Sequence, residues 1–321
     1  MPDFTEQLIT PPAAEQSYAQ SVSDYLREHR LATGLTATAL AATAWLANTP
    51  SHSPELSLQA NQTNTLQQSS FESDQHQVDL FSPETKPTAI VVFMHGLYLD
   101  STWAEETTQL QDAAAKYGWV LAFPNGYGKS WDAGQCCGDA KTDHINDDAF
   151  LNKLIGGLQA AYGEKVPVVV GGFSNGAMMS LRFAADNPGK VDGLLIDSGN
   201  LEAKRSVVRV PNLLMIRGEQ DHTVPIKGLA WSNFVKTSLR PDSYTLAALE
   251  RGSICHDSEK QLAPGVQARF INCGGKIVRH MTYVTEAAGA HAWNNGSKAG
   301  TADDTKLAID FIRRVAAETH V

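Results

Sequence analysis

The stretch VPVVVGGFSNGAMMSLRF, residues 166–183, decides the fold that we predict for this chain. Up to Gly172 it is a β-branched apolar run, which predicts a buried strand of a parallel sheet. From Asn175 onward, apolar residues recur at helical spacing. Between strand and helix lies a G-x-S-x-G motif centred on Ser174. A serine at such a corner is typical of a nucleophile elbow, because its hydroxyl stands clear of the sheet. The alternative is a turn whose serine only caps the helix.

The composition fits one large domain plus a tail. The chain has 321 residues, of which 42% are hydrophobic and 19% charged, and its net charge is −9. No block of Lys and Arg is present, so we expect no nucleic-acid partner.

The four cysteines lack the C-x-x-C spacing of zinc sites, and we expect no metal. Cys255 and Cys273 could close a loop in an oxidising compartment, whereas the adjacent Cys136 and Cys137 are expected to pair elsewhere rather than with each other. The alternative is four reduced thiols.

The N-terminal 47 residues differ in composition from the rest of the chain. Residues 31–47 carry no charge and are rich in Ala, Leu and Thr, and Arg27 and Arg30 precede them. We therefore predict a targeting or tethering segment over residues 1–47, with a signal or anchor at 31–47 and export of the chain. Membrane contact is expected only if 31–47 is an anchor. The alternative, which rests on the long acidic lead and the short apolar run, is a buried or lid-like helix in a cytoplasmic protein. A polar linker is predicted over 48–76 and the catalytic domain over 77–321.

Strand and helix patterns alternate through that domain. Strands are predicted at 88–96, 119–125, 166–172, 191–199, 211–218 and 278–285, and helices at 107–118, 147–163, 175–183 and 303–317. This alternation predicts an α/β fold with a doubly wound, mostly parallel central sheet and helices on both faces.

A serine hydroxyl needs a base to become a nucleophile, and the base needs an acid to orient it. In a sheet of this kind the chain order is serine, acid, histidine. Asp221 follows the apolar run at 211–218 and is the predicted acid. Asp197 and Glu219 are its rivals.

His291 is the predicted base, because it lies in a small-residue loop between the last strand and the final helix. The rival histidines are His222, His256, His280 and His320. An oxyanion hole needs two backbone N–H groups, for which we predict those of Asn175 and Leu97. His95, next to Leu97, is expected to brace the loop rather than to act as a second base.

An ordered set of motifs resembles a known family. HG at 95–96, a W…CCG loop at 131–138, DDxF at 147–150, GFSNGAMM at 172–179, GxxDxxVP at 218–225 and GxHxW at 289–293 occur in that order. Over residues 87–312 the chain resembles the polyhydroxybutyrate-depolymerase-type esterases, which are relatives of the feruloyl and acetylxylan esterases. The resemblance implies an α/β-hydrolase fold, a Ser174–His291–Asp221 triad, secretion and no cofactor.

The same resemblance implies hydrolysis of a carboxylic ester, either a hydroxyalkanoate polyester or its oligomers. A feruloyl or acetylxylan esterase is the alternative. An acyltransferase, a peptidase and a non-catalytic surface binding protein are less expected.

The chain departs from the family pattern at Ala177, Ala290, Ala292 and Asn294, which leaves the triad intact and the substrate open. Trp131 and Trp293 are predicted to line the substrate pocket, with a core position as the alternative for each.

Overall fold

The structure, a computed structural model, describes residues 65–274 and 279–318. The segment predicted at 1–47 and most of the linker predicted at 48–76 lie outside these residues. Within the described ranges, no helix combines the length and the apolar character needed to cross a bilayer.

A ten-stranded sheet forms the centre of the described chain. Its strands are β1 (Leu66–Ser73), β2 (His76–Pro83), β3 (Ala89–Met94), β4 (Trp119–Pro124), β5 (Val168–Phe173), β6 (Gly193–Asp197), β7 (Asn212–Gly218), β10 (Ile254–Ala263), β11 (Val266–Gly274) and β12 (Arg279–Glu286). Their order is β1-β2-β4-β3-β5-β6-β7-β12-β11-β10. The segment from β4 to β12 is parallel, and antiparallel pairs extend it at both edges. A separate hairpin joins β8 (Leu229–Ser232) to β9 (Thr237–Leu239).

Helices cover both faces of this sheet. They are α1 (Ser101–Thr108), α2 (Leu110–Tyr117), α3 (Gly138–Thr142), α4 (Asp147–Tyr162), α5 (Asn175–Asp186), α6 (Asp242–Glu250) and α7 (Asp304–Glu318). Strand β3 alternates between two cores, since Val92 packs with α4, α5 and α6 while Phe93 packs with α1, α2 and α7. Each core excludes water from one face, as the period of two along a strand requires. The predicted mostly parallel sheet with helices on both faces is confirmed.

The sheet begins earlier than the sequence predicted. Strand β1 lies inside the predicted linker, and it pairs along its whole length with β2, so residue 77 falls within a hairpin rather than at a domain boundary. The strand was missed because it is an edge strand with a largely solvated face, and its sequence LQQSSFES carries little apolar alternation.

Two disulfides join the four cysteines. Cys255 and Cys273 face each other across β10 and β11, as one of the open sequence alternatives allowed. Cys136 is bonded to Cys137, so the expectation that this pair would bond elsewhere is wrong. Cys136 and Cys137 have no other disulfide partner, because Cys255 and Cys273 already face each other on β10 and β11 at one edge of the sheet.

Candidate active site

Ser174 occupies a sharp corner between β5 and α5. Its φ of 54° is in the left-handed region, which is strained for a residue with a Cβ atom. The flanking glycines make the corner possible, because a Cβ on Gly172 or Gly176 would lie 2.5 or 2.2 Å from the Met94 carbonyl oxygen. The Ser174 side chain makes no capping hydrogen bond to its helix, which removes the interpretation of this serine as a helix cap.

The structure brings three predicted residues into one chain of hydrogen bonds. Ser174 Oγ lies 2.9 Å from His291 Nε2, and His291 Nδ1 lies 2.8 Å from Asp221 Oδ2. The other carboxylate oxygen of Asp221 accepts the N–H groups of Thr223 and Val224, each at 2.8 Å. The turn after β7 thus fixes Asp221, and Asp221 fixes the imidazole ring.

Electrostatics keep Asp221 ionised. Burial would raise the pKa of this carboxyl, but the hydrogen bond and charge of His291 and the Val224 N–H hold it below its usual value. An ionised Asp221 accepts the Nδ1–H of His291. The Nε2 atom is then left as the acceptor that faces the serine hydroxyl.

In the described residues, neither rival carboxylate and none of the rival imidazoles hydrogen-bonds the Ser174 hydroxyl. Asp197 is fully buried, and its backbone carbonyl accepts the Ser174 N–H at 2.9 Å. Glu219 is exposed. His280 bonds Asn272, His222 and His256 are exposed, and His320 lies outside the described residues.

The loop after β3 lies against the serine, as expected for an oxyanion loop. A Cβ placed on Gly96 would be 3.3 Å from the Cβ of Ser174. In the described part of the chain, neither the Leu97 N–H nor the Asn175 N–H has a hydrogen-bond acceptor. Both donors are therefore free for a ligand oxygen.

His95 braces this loop, as the sequence predicted. Its Nδ1–H donates to the Gly96 carbonyl at 2.7 Å, and its Nε2 accepts the Gly126 N–H at 2.9 Å. Burial lowers the pKa of His95 to about 4, so the ring is neutral with both nitrogens engaged.

The two tryptophans differ in their surroundings. Trp131 is closed off from solvent, so its prediction as a pocket wall is wrong. Trp293 borders a cleft of about 500 Å³ whose lining includes no triad residue, so its place in the substrate pocket stays a prediction. Trp131 is fully buried, and its indole N–H donates to the His95 carbonyl at 3.0 Å. Trp293 packs edge-on against Phe93 and donates to Thr305 Oγ1 at 3.0 Å. With its indole N–H satisfied inside the protein, the Trp131 ring behaves as core.

Two side chains of the site were missed by sequence reasoning. The amide of Asn175 makes a paired contact with the backbone of Trp131, which ties the elbow to the loop that carries Cys136. The ring of Phe173 lies 5.0 Å from that of His291 and 5.1 Å from that of Trp103. Neither role has a motif, because both depend on loops that are distant in sequence.

A buried acidic cluster lies behind the histidine loop. Glu286 ends β12, Asp304 begins α7, and both accept hydrogen bonds from Asn294, at 2.6 and 2.5 Å. Within the described residues neither carboxyl forms an ion pair. Burial, with the charges of Asp197 and Glu286, raises the pKa of Asp304 to about 10.

We expect Asp304→Asn to change how stability depends on pH. The unfolded chain loses this proton near pH 4, whereas the folded protein keeps it to about pH 10. The free energy of unfolding therefore falls as pH rises through this window, by at most about 1.4 kcal/mol per pH unit from this proton. An amide has no such proton to lose, so the variant should gain stability relative to wild type between pH 5 and 9.

Urea unfolding at pH 5, 7 and 9 measures this difference. Asp310→Asn, an exposed position on the same helix, is the control and should follow the wild type. A constant difference between Asp304→Asn and wild type across the three pH values would contradict the assignment.

The chain is similar to several known proteins. A family model described as "Serine aminopeptidase, S33" matches residues 85–264, more than half of the chain. NocK of Nocardia uniformis subsp. tsuyamanensis, a protein named as an esterase, is 32% identical over 153 residues, which are 46% of this chain and 44% of NocK. The match thus spans less than half the length of this curated relative.

One solved structure supports the same fold, and a second is similar at a lower score. An acetyl xylan esterase from Aspergillus awamori superposes with a TM-score of 0.52 at 14% identity, covering 77% of this chain and 99% of that one. Esterase PE8 gives a TM-score of 0.48 at 16% identity, covering 78% of this chain and 99% of that one.

Proposed function

The chain belongs to the serine aminopeptidase S33 family of α/β hydrolases, and from this premise we propose that it hydrolyses carboxylic esters through a serine acyl-enzyme. One observation carries the proposal, the continuous hydrogen bonding from Ser174 through His291 to Asp221 at the elbow. The similarity to NocK, a protein named as an esterase, supports the ester rather than the amide bond as the target.

The proposed reaction has two steps, formation of the acyl-enzyme and its hydrolysis, and the same groups act in both. His291 Nε2 takes the proton of Ser174 as the oxygen attacks the ester carbonyl, and Asp221 stabilises the imidazolium that forms. The N–H groups of Leu97 and Asn175 bind the oxyanion. His291 then gives its proton to the leaving alcohol, and in the second half it activates the water that frees the acid.

For the substrate we propose a hydroxyalkanoate ester, either polyester or oligomer. The ordered motifs from the HG pair to the GxHxW loop support this class. An acetylxylan or feruloyl ester is the second candidate, because the fold neighbour from Aspergillus awamori acts, by its name, on acetyl xylan.

A substrate panel tests the proposal. We expect 3-hydroxybutyrate oligomers to be cleaved with a kcat/KM about tenfold above those of acetylated xylo-oligosaccharides and methyl ferulate, since one well-fitted group in a site is worth about that much. An aminoacyl p-nitroanilide represents the peptidase chemistry in the family's description, and added alcohol detects acyl transfer. Preference for the anilide, or transfer that exceeds hydrolysis, would overturn the ester-hydrolase assignment.

A further inference from the structure

Two exposed aromatic side chains meet beside the proposed oxyanion loop. Tyr98 and Phe234 are 63% and 55% exposed, and their rings stand edge to face with centroids 6.3 Å apart. The contact joins two separate parts of the chain, the loop after β3 and the turn between β8 and β9. Exposed apolar side chains that adjoin one another, unlike isolated ones, are typical of ligand- and partner-binding surfaces.

Tyr98 belongs to the loop that contacts the nucleophile. Gly96 packs against Ser174, with its virtual Cβ 3.3 Å from the serine Cβ. Tyr98 follows two residues later, so its Cα is at most about 7.6 Å from that of Gly96. Its N–H donates to the Lys129 carbonyl at 2.8 Å, which fixes the backbone at this position.

Tyr98 has a strained backbone conformation, and its exposed ring gains no burial that would offset the strain. Its φ is 65°, a left-handed conformation that is uncommon for aromatic residues. Such strain persists when the surroundings impose it, and it is concentrated at ligand sites. The conformation leaves a large ring exposed on the residue that follows Leu97.

The turn that carries Phe234 is held in place by the buried residue next to it. The neighbouring Val235 is buried in the core, and its N–H donates to Ser232 Oγ at 3.4 Å. The backbone next to Phe234 is therefore fixed. The rings of Tyr98 and Phe234 form an exposed aromatic surface that exists before any ligand binds.

We propose that Tyr98 and Phe234 bind the repeat unit of an oligoester that adjoins the scissile bond, and so set a preference for extended over short esters. The inference rests on the proposed esterase function. The methyl and methylene groups of a hydroxyalkanoate repeat are neutral and apolar, and they can pack against aromatic rings without placing a charge there. A two-carbon acyl group with a short alcohol has no such repeat.

The test compares the methyl ester of a 3-hydroxybutyrate trimer with ethyl acetate. In Tyr98→Ala and in Phe234→Ala, the ratio of the two kcat/KM values should fall about tenfold, chiefly through KM for the trimer, as expected for the loss of an apolar contact. Tyr98→Phe should keep the wild-type ratio, because the ring and not the hydroxyl makes the contact. The double variant should lose less than the product of the single losses, since the rings act together.

Trp231→Ala is the matched control. Trp231 is 59% exposed on the same hairpin, yet it has no ring contact with Tyr98 or Phe234 in the described part of the chain. This variant should retain the wild-type ratio. An equal fall of the kcat/KM ratio in Trp231→Ala would overturn the inference, and so would an unchanged ratio in both Tyr98→Ala and Phe234→Ala. In either case, turnover of the esters by the wild type would leave the proposed function intact. Absence of turnover of both esters by the wild type would instead overturn the proposed function, and the inference with it.

Discussion

Ser174→Ala is expected to lower kcat/KM for ester hydrolysis by about 10⁶-fold, the size of loss that follows removal of a triad serine. The variant keeps the oxyanion donors and the histidine, but it has no oxygen that can form the acyl-enzyme. Labelling by a fluorophosphonate probe should disappear with it. Initial rates on p-nitrophenyl butyrate, together with the probe signal, measure both effects.

Ser180→Ala is the control for this experiment. Ser180 lies on the same helix, is fully buried and donates to the Gly176 carbonyl at 2.9 Å, so its loss removes a buried hydroxyl without removing any group of the proposed triad or oxyanion hole. Probe labelling should persist in this variant. Undiminished labelling and turnover in Ser174→Ala would show that another residue is the nucleophile.

The sequence predicted the parts of the fold that a local pattern specifies. The elbow needs glycines at two fixed positions, and the parallel strands are buried on both faces, so each leaves a short local pattern in the sequence. Asp221 and His291 were chosen as candidate acid and base from chain order. The structure brings these two side chains into contact across 70 residues of sequence.

The features that the sequence did not predict depend on packing between distant segments. Strand β1 is polar because it is an edge, so its pattern resembled that of a linker. Trp131 has the same side chain whether it lines a cleft or fills a core, and only the placement of the His95 carbonyl decides for the core. The exposed pair of Tyr98 and Phe234 is a product of two loops, and no motif records it.

Asp221→Asn should lower kcat by about 10⁴-fold while leaving the geometry of the site almost unchanged. The reason lies in the donors around the side chain. Thr223 and Val224 both direct N–H groups at Oδ1, so the amide oxygen of an asparagine must take that position. Its NH₂ group then faces His291 Nδ1, where the wild type presents an acceptor at 2.8 Å.

An NH₂ group at that position forces the imidazole into the opposite tautomer. Nδ1 becomes the acceptor and Nε2 carries the proton, so Nε2 can no longer take the proton of Ser174. Glu219→Gln makes the same chemical change two residues earlier, at an exposed carboxylate in the same turn, and should retain wild-type kcat. Steady-state kinetics on p-nitrophenyl butyrate distinguish the two variants. A large loss in Glu219→Gln with normal turnover in Asp221→Asn would transfer the role of the acid to Glu219, because the residue that orients the histidine is the one whose amide reverses the tautomer.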